Sequence, residues 1–257
     1  MAKANKDASK KVEESYKEGL TGNFAKAYGS EALREYADSD GDVQLTVSDD
    51  IAEEFASLVK DWRKCQLCSL AATRKHVVFA RGTLPADVLF IGEAPGPKED
   101  EVGFPFVGPS GRLLTTIIDK LRESRNGWSY AITNPIGCVP WAKAQEEGQD
   151  PHTFRQPEPI EIEKCFPRFL KILELADPKG IVLLGKVAEK FWTDYGEQIT
   201  KLLSERLEKS VSYKMYPARH PSYLLRSGGA REGNAHYRDT ISGLKQFLFQ
   251  TLNVGER

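Results

Sequence analysis

The chain has 257 residues, 40% of them hydrophobic and 28% charged, which are ordinary values for a soluble globular protein. No apolar run approaches the roughly 20 residues that a membrane-spanning helix needs, and the first residues carry charge where a secretory signal has an apolar stretch. These features exclude a membrane protein and predict a cytosolic one.

The net charge of -1 is unevenly distributed along the chain. Residues 1–55 hold 7 Lys or Arg against 13 Asp or Glu, a net charge of -6, which leaves +5 for residues 56–257. We predict an acidic, mobile leader over residues 1–45, because its composition disfavours a packed core, followed by one domain over 46–257.

Helical spacing of apolar residues begins after Ser48 and predicts a helix that runs up to the cysteine pair Cys65 and Cys68. Beyond it, short apolar runs alternate with helical patterns. Strands are predicted at 87–92, 130–134, 180–185 and 211–217, and helices at 110–123, 159–176, 186–194 and 235–252. This alternation predicts a three-layer α/β fold with a mainly parallel central sheet and helices on both faces.

Ligands of such folds bind at the carboxyl ends of the strands, where this chain has three unusual segments. After the first strand, GEAPGPKED supplies glycines that let a ligand approach the backbone, and Phe106 follows with a flat apolar face. That combination suits a planar heterocycle. The segment lacks the GxGxxG spacing of a dinucleotide loop and the lysine of a P-loop, and a structural turn is the alternative.

Asn134 and His220 follow two other predicted strands. An Asn side chain offers an acceptor and two donors that match the O4 and N3–H edge of uracil, although an Asx turn before Pro135 explains the residue equally well. A histidine can donate to a carbonyl oxygen on which negative charge develops, but a histidine before proline is more often structural.

Four cysteines, Cys65, Cys68, Cys138 and Cys165, are more consistent with metal binding than with disulfides in a reducing compartment. Four thiolates bind either a structural zinc ion or an iron-sulfur cluster, and spacing alone does not separate the two. Four unrelated buried thiols and a redox pair are the alternatives.

Five segments within about residues 60–250 form one pattern: in chain order they are CQLC, GEAPGPKEDEVGFPFVGPSGRLL, TNPIGC, EIEKCFPRFL and HPSYLLR. Together they resemble the uracil-DNA glycosylase superfamily, most closely its family four, which holds a 4Fe-4S cluster. The resemblance implies a monofunctional enzyme that flips deoxyuridine out of DNA and hydrolyses its N-glycosidic bond, the first step of base excision repair. The alternative is a catalytically silent module of the same fold that binds DNA or a protein partner.

The resemblance also implies a role for each matching residue. Glu93 corresponds to the catalytic acidic residue that orients the attacking water, and His220 corresponds to the residue that hydrogen-bonds uracil O2 as the base leaves as an anion. The implied base-binding residues are Gly92, Ala94, Gly96, Phe106 (stacking) and Asn134 (reading the pyrimidine edge). The implied DNA contacts are Leu224, as the wedge in the duplex, and Ser222 and Arg226, at phosphates. Cys65, Cys68, Cys138 and Cys165 are the implied cluster ligands, with structural zinc as the runner-up.

Two features depart from the family pattern. The stretch between Cys138 and Cys165 is longer than usual, which we assign to an insertion near 141–155, and the acidic leader lies outside the resemblance. A sister group captures uracil-DNA covalently through a histidine in an inserted loop, but this chain has no histidine between Glu93 and Asn134. Irreversible capture of DNA is therefore disfavoured. We expect a monomeric, nucleoid-associated glycosylase that acts on uracil-containing DNA. The acidic leader is a candidate contact for a protein partner.

Overall fold

A seven-stranded sheet forms the centre of the protein, in a computed structural model that describes residues 33–37, 43–141, 154–231 and 233–252. The strands are β1 (Leu33–Ala37), β2 (Val43–Ser48), β3 (Ala80–Leu84), β4 (Val88–Ile91), β5 (Tyr130–Thr133), β6 (Gly180–Leu184) and β7 (Lys214–Ala218). Their spatial order is β1-β2-β3-β5-β4-β6-β7. The four strands from β5 to β7 in this order are mutually parallel, whereas β3 runs antiparallel to β5, and β1 to β2. The prediction of a mainly parallel sheet is confirmed.

Helices cover both faces of the sheet. They are α1 (Asp49–Trp62), α2 (Pro97–Val102), α3 (Pro109–Ser124), α4 (Pro159–Ala176), α5 (Lys186–Leu207), α6 (Pro221–Arg226) and α7 (Ala235–Thr251), with a 3-10 turn at Ser69–Ala72. Successive side chains of a strand point to opposite faces, so Leu89 and Ile91 of β4 pack with α1, α4 and α5, while Val88 and Phe90 pack with α3, α6 and α7. These two apolar cores confirm the three-layer α/β fold.

Helix α4 has the predicted bounds, because its local sequence marks its start. Pro159 occupies the first turn, and the carboxylate of Glu161 accepts a hydrogen bond from the backbone N–H of Glu158 at 2.7 Å. Helix α5 is longer than predicted: it continues through Gly196 to Leu207 instead of ending at residue 194. Gly196 packs against Trp192, and a Cβ there would lie 2.6 Å from the indole nitrogen. Close packing thus explains this glycine better than a helix end does.

The prediction that the mobile leader extends to residue 45 is wrong. Strands β1 and β2 belong to the sheet, and the side chains of Leu45 and Val47 are buried while Thr46 between them is not. Residues 1–32, and positions 142–153 of the predicted insertion, lie outside the described residues. Within the described ranges, no helix has the length and apolarity needed to cross a membrane.

Candidate active site

Three strand ends meet around one cavity of about 570 Å³. Glu93 follows β4, Asn134 follows β5 and His220 follows β7, and parallel strands bring these ends to the same edge of the sheet. The cavity is also lined by Ala94, Gly96, Glu99, Phe106, Ser110, Phe154, Leu184, Lys186, Val187, Ser222 and Arg226, among others. The structure therefore brings together the residues that the sequence indicated for base binding and catalysis.

Phe106 is held in an unusual backbone conformation. Its φ of +56° lies in the left-handed region, which costs about 1–3 kcal/mol for a residue with a side chain. The carboxylate of Glu99 accepts hydrogen bonds from the next two backbone N–H groups, those of Val107 at 2.9 Å and Gly108 at 2.8 Å. Any Cβ at Gly111 would overlap the Phe106 carbonyl. Charged hydrogen bonds and a missing side chain thus fix the aromatic ring in place.

Glu99 connects two parts of the site, a role that sequence reasoning missed. Besides holding the turn after Phe106, its carboxylate accepts a hydrogen bond from the N–H of Gly96 at 3.1 Å. The glycine-rich segment after β4 is therefore joined to the turn that carries the aromatic ring. The signal was the spacing Gly96-x-x-Glu99 at the start of α2, which is that of a capping box.

Asn134 and Phe106 approach each other across Gly92. A Cβ at Gly92 would overlap the side-chain oxygen of Asn134 and lie 2.7 Å from the Phe106 ring, so only glycine leaves both side chains in place. Asn134 is buried, and its side-chain oxygen has no hydrogen-bond partner among the described residues. A buried acceptor without a partner is costly, and a donor on a bound ligand would satisfy it.

His220 presents a neutral ring to the cavity. Its Nδ1 accepts a hydrogen bond from the backbone N–H of Ser222 at 3.1 Å, and the Ser222 hydroxyl lies 2.8 Å from the same nitrogen. Burial, with a smaller contribution from the charge of Arg226, lowers the pKa of His220 to about 4. Because Nδ1 is an acceptor, the single ring proton resides on Nε2, and the ring, whose centroid lies 5.9 Å from that of Phe106, borders the cavity.

Glu93 is the acidic residue nearest to the strand ends. Burial raises the pKa of its carboxyl, and its Oε1 is buried without a hydrogen-bond partner in the described part of the chain. Glu93 borders both the main cavity and a second one of about 270 Å³, which is lined by Ile136, Phe191 and Tyr195 among others. A desolvated carboxylate in this position is a strong acceptor for a water molecule or a stabiliser of positive charge.

Four groups thus surround one cavity: the Phe106 ring, the Asn134 amide, the neutral His220 ring and the Glu93 carboxylate. Comparison with known proteins shows which family has this site. The family model described as the uracil DNA glycosylase superfamily matches residues 79–245. The chain belongs to the uracil-DNA glycosylase superfamily.

Several curated relatives are similar over most of their length. A type-4 uracil-DNA glycosylase of Saccharolobus solfataricus is 41% identical over 211 residues, which cover 76% of this chain and 92% of that protein. One from Thermotoga maritima is 37% identical over 179 residues, covering 68% and 85%. One from Pyrobaculum aerophilum is 31% identical over 183 residues, covering 66% and 83%. The resemblance to family four is confirmed.

Leu224, the residue at the wedge position of the superfamily motif, does not lie on the surface. It is 0% exposed and packs in the core with α3 and α7, so it cannot enter a duplex without unpacking this core, and the prediction of a Leu224 wedge is wrong. Its neighbours on α6, Tyr223 and Leu225, are 42% and 39% exposed. The other two predicted DNA contacts, Ser222 and Arg226, line the cavity.

The four cysteines border a single separate cavity, to which three segments contribute. Cys65 and Cys68 follow α1, Cys138 follows β5 and Cys165 lies on α4. Burial raises the pKa of Cys138 to about 12, so this thiol ionises only with the help of a strong positive charge such as a bound metal. Among the described residues, no three His, Cys, Asp or Glu side chains are grouped so as to hold a metal ion.

The surroundings of the cysteines fit an anionic sulfur site. The backbone N–H of Gly137 donates a hydrogen bond to the Cys165 sulfur at 3.3 Å, and Arg168 Nε donates to the same sulfur at 3.3 Å. On the other side, the Arg74 guanidinium donates to the carbonyl of Cys65. Hydrogen bonds to ligand sulfurs and nearby cations are typical of protein-bound iron-sulfur clusters.

Proposed function

We infer that this protein is a monofunctional uracil-DNA glycosylase, which hydrolyses the N-glycosidic bond of deoxyuridine in DNA and so starts base excision repair. Membership of the superfamily and relatives named type-4 uracil-DNA glycosylase support this function. The observation that carries it is the common cavity of Phe106, Asn134 and His220, whose chemistry matches the face, the edge and the O2 atom of a uracil.

Binding requires the nucleotide to leave the base stack, which costs a few kcal/mol. Stacking on the Phe106 ring offsets part of this cost, and the backbone of Phe106 needs no reordering because Glu99 and Gly111 already fix it. The unpartnered side-chain oxygen of Asn134 accepts a hydrogen bond from N3–H of uracil. Cytosine has no proton on N3, so it leaves this buried oxygen unsatisfied.

Bond cleavage leaves negative charge on the base and positive charge on the sugar. The Nε2–H of neutral His220 donates to uracil O2 as this charge develops, and one such preorganised donor is worth about 2.7–4 kcal/mol. Glu93 stabilises the cationic sugar and orients water for attack on it, with its unpartnered oxygen as the acceptor.

We propose that Cys65, Cys68, Cys138 and Cys165 hold a 4Fe-4S cluster, supported by their common cavity and by the hydrogen bonds to Cys165. These four residues would hold the cluster between the segment after α1, the segment after β5 and α4, and the bound cluster would stabilise the fold by joining the three. Iron content and visible absorbance of the purified protein separate it from the runner-up, a structural zinc ion.

We propose that Leu225 enters the duplex in place of Leu224, because it is the exposed leucine of α6, the helix that also carries Ser222 and Arg226 at proposed phosphate contacts.

Leu225→Ala is expected to slow uracil release from duplex DNA about tenfold while release from single strands stays near wild type, since only the duplex needs a wedge. Initial rates on the two substrates measure the ratio. Leu224→Ala is the matched control: it is expected to lower the free energy of unfolding by about 2–5 kcal/mol. An unchanged rate ratio for Leu225→Ala contradicts the proposal.

The direct test of the function is incubation with an oligonucleotide that contains one uracil, followed by alkaline cleavage of abasic sites. We expect strand scission only at the uracil, with uracil opposite guanine, opposite adenine and in single strands as parallel substrates. No scission above the control rejects the enzyme. A mobility shift on uracil-DNA without base release instead supports the silent binding module. Monomeric state, a cytosolic location and a protein partner for the leader stay predictions.

A further inference from the structure

Arg168 of α4 is completely buried, and its guanidinium is shared between the cysteine site and the end of β5. Its Nε donates to the sulfur of Cys165 at 3.3 Å, and Nη1 donates to the carbonyl of Val78 at 3.1 Å. Its Nη2 donates to the carbonyls of Asn134 at 2.6 Å and Pro135 at 3.0 Å. A single side chain therefore contacts both a predicted cluster ligand and the backbone of the base-reading residue.

The charge of Arg168 indicates what the neighbouring site must supply. A guanidinium stays protonated in proteins, and burying it without a negative partner is costly. Among the described residues, its hydrogen bonds go to three carbonyl oxygens and one sulfur. Four thiolates on a 4Fe-4S cluster carry net negative charge, so they provide the missing partner on the Cys165 side.

The segment from Asn134 to Cys138 is wrapped tightly around this guanidinium. A Cβ at Gly137 would lie 2.8 Å from Arg168 Nε, so only glycine fits at this position without displacing the arginine. The N–H of Gly137 donates to the sulfur of Cys165, and the segment ends at Cys138, another predicted ligand. Its first residue, Asn134, is the one whose buried side-chain oxygen faces the base cavity.

We propose that Arg168 is a positioning residue that couples the four-cysteine site to base recognition, by fixing the carbonyls of Asn134 and Pro135 against Cys165. The proposal rests on the proposed function and cofactor. Arg168 does not touch the substrate; it sets the direction in which Asn134 leaves β5, and the negative charge of the cysteine site keeps Arg168 in place. Disturbing Arg168 then weakens the recognition of uracil before it affects the chemistry at His220.

Two substitutions of Arg168 separate its charge from its geometry. Arg168→Lys keeps the charge but cannot donate to all four partners, and Arg168→Gln removes the charge as well. Arg168→Lys is expected to retain iron and to bind free uracil about tenfold more weakly, the loss of roughly one well-formed hydrogen bond to a charged group. Arg168→Gln is expected to lose iron in addition. Ligand-observed NMR measures uracil occupancy without turnover, with free cytosine as the non-matching base, and iron content and visible absorbance report the cluster.

Arg74→Gln is the matched control, because Arg74 borders the same cysteine cavity but donates to the carbonyl of Cys65 instead of Asn134. It is expected to change iron content or absorbance while the iron-loaded fraction binds uracil like wild type. If Arg168 only supported the fold around the cysteines, Arg168→Lys and Arg74→Gln would have the same effect on uracil binding by the iron-loaded protein.

The outcomes are distinct. Iron-loaded Arg168→Lys that binds uracil as tightly as wild type, and prefers it over cytosine to the same degree, overturns the coupling. Should Arg168→Lys purify without iron, it is compared with wild type from which iron has been chelated; uracil binding by either at the affinity of the iron-loaded wild type also overturns it. Failure of the proposed function looks different, since wild type itself then releases no uracil from the oligonucleotide.

Discussion

His220→Ala is expected to slow uracil release about 10²- to 10³-fold, the usual effect of removing one preorganised donor to a developing anion. The neutral ring is held by the N–H of Ser222 at Nδ1, so its remaining proton lies on Nε2 at the cavity. Alanine removes that donor together with the cap that the ring provides for α6, a loss of about 0.5–2 kcal/mol, but it leaves both apolar cores unchanged. Single-turnover rates on a uracil oligonucleotide measure the loss in the chemical step.

His76→Ala is the matched control, since His76 lies outside the cavity and contacts the backbone carbonyl of Asp100 through its ring. Its single-turnover rate is expected to stay within a few-fold of wild type. A rate for His220→Ala that also stays within a few-fold of wild type contradicts the assigned role. The same holds if the two histidine variants lose activity equally.

Glu93→Gln is expected to lower the rate of base release about 10²-fold or more, because the amide neither carries charge towards the cationic sugar nor accepts a proton from water. Burial raises the pKa of Glu93, and the ionised form is the active one. Wild-type activity should therefore fall, as the pH is lowered, at a pH above the ordinary carboxyl value of about 4.3. The low pKa of His220, about 4, keeps its own titration below this range.

The residual activity of Glu93→Gln should lack this acidic loss, and the rate–pH profile from pH 8 downward tests it. Folding supplies a second measurement. Since the fold raises the pKa of Glu93, its ionised carboxylate is disfavoured in the folded protein at neutral pH, and glutamine removes that penalty. The variant should be at least as stable as wild type at neutral pH, with the difference vanishing below the pKa of the unfolded chain. A variant that keeps the wild-type acid limb refutes the assignment to Glu93.

Much of the fold followed from apolar pattern and local signals. Strands β4, β5 and β6 were predicted within a residue or two, because runs buried on both sides are uniformly apolar, and α4 was predicted with its bounds because its start is marked by Pro159. The short strands β1 and β2 were missed. LREYA lacks the apolar–polar alternation of a half-buried strand, and the alternation in VQLTVS covers only six residues next to an acidic region whose composition disfavours a packed core.

The candidate site was predicted where a motif follows a strand, and missed where tertiary packing decides. Glu93, Asn134 and His220 all border the cavity, as their positions after β4, β5 and β7 indicated. The prediction for Leu224 failed because a motif gives a position in the chain but not the side of α6 that faces solvent. In this six-residue helix Leu224 lies in the core and Leu225 is exposed. Arg168 gave no signal, since three of its four hydrogen-bond partners are backbone carbonyls from distant segments.

Positions 92 and 111 restrict how the substrate range of this enzyme can be changed. Gly92 lies between the Phe106 ring and the Asn134 amide, and Gly111 lies against the carbonyl of Phe106. Even a methyl group at either position would displace these atoms. Libraries aimed at larger or modified pyrimidines should therefore leave both glycines unchanged. Variation belongs instead at Ser110 and Val187, which line the cavity and belong to neither apolar core.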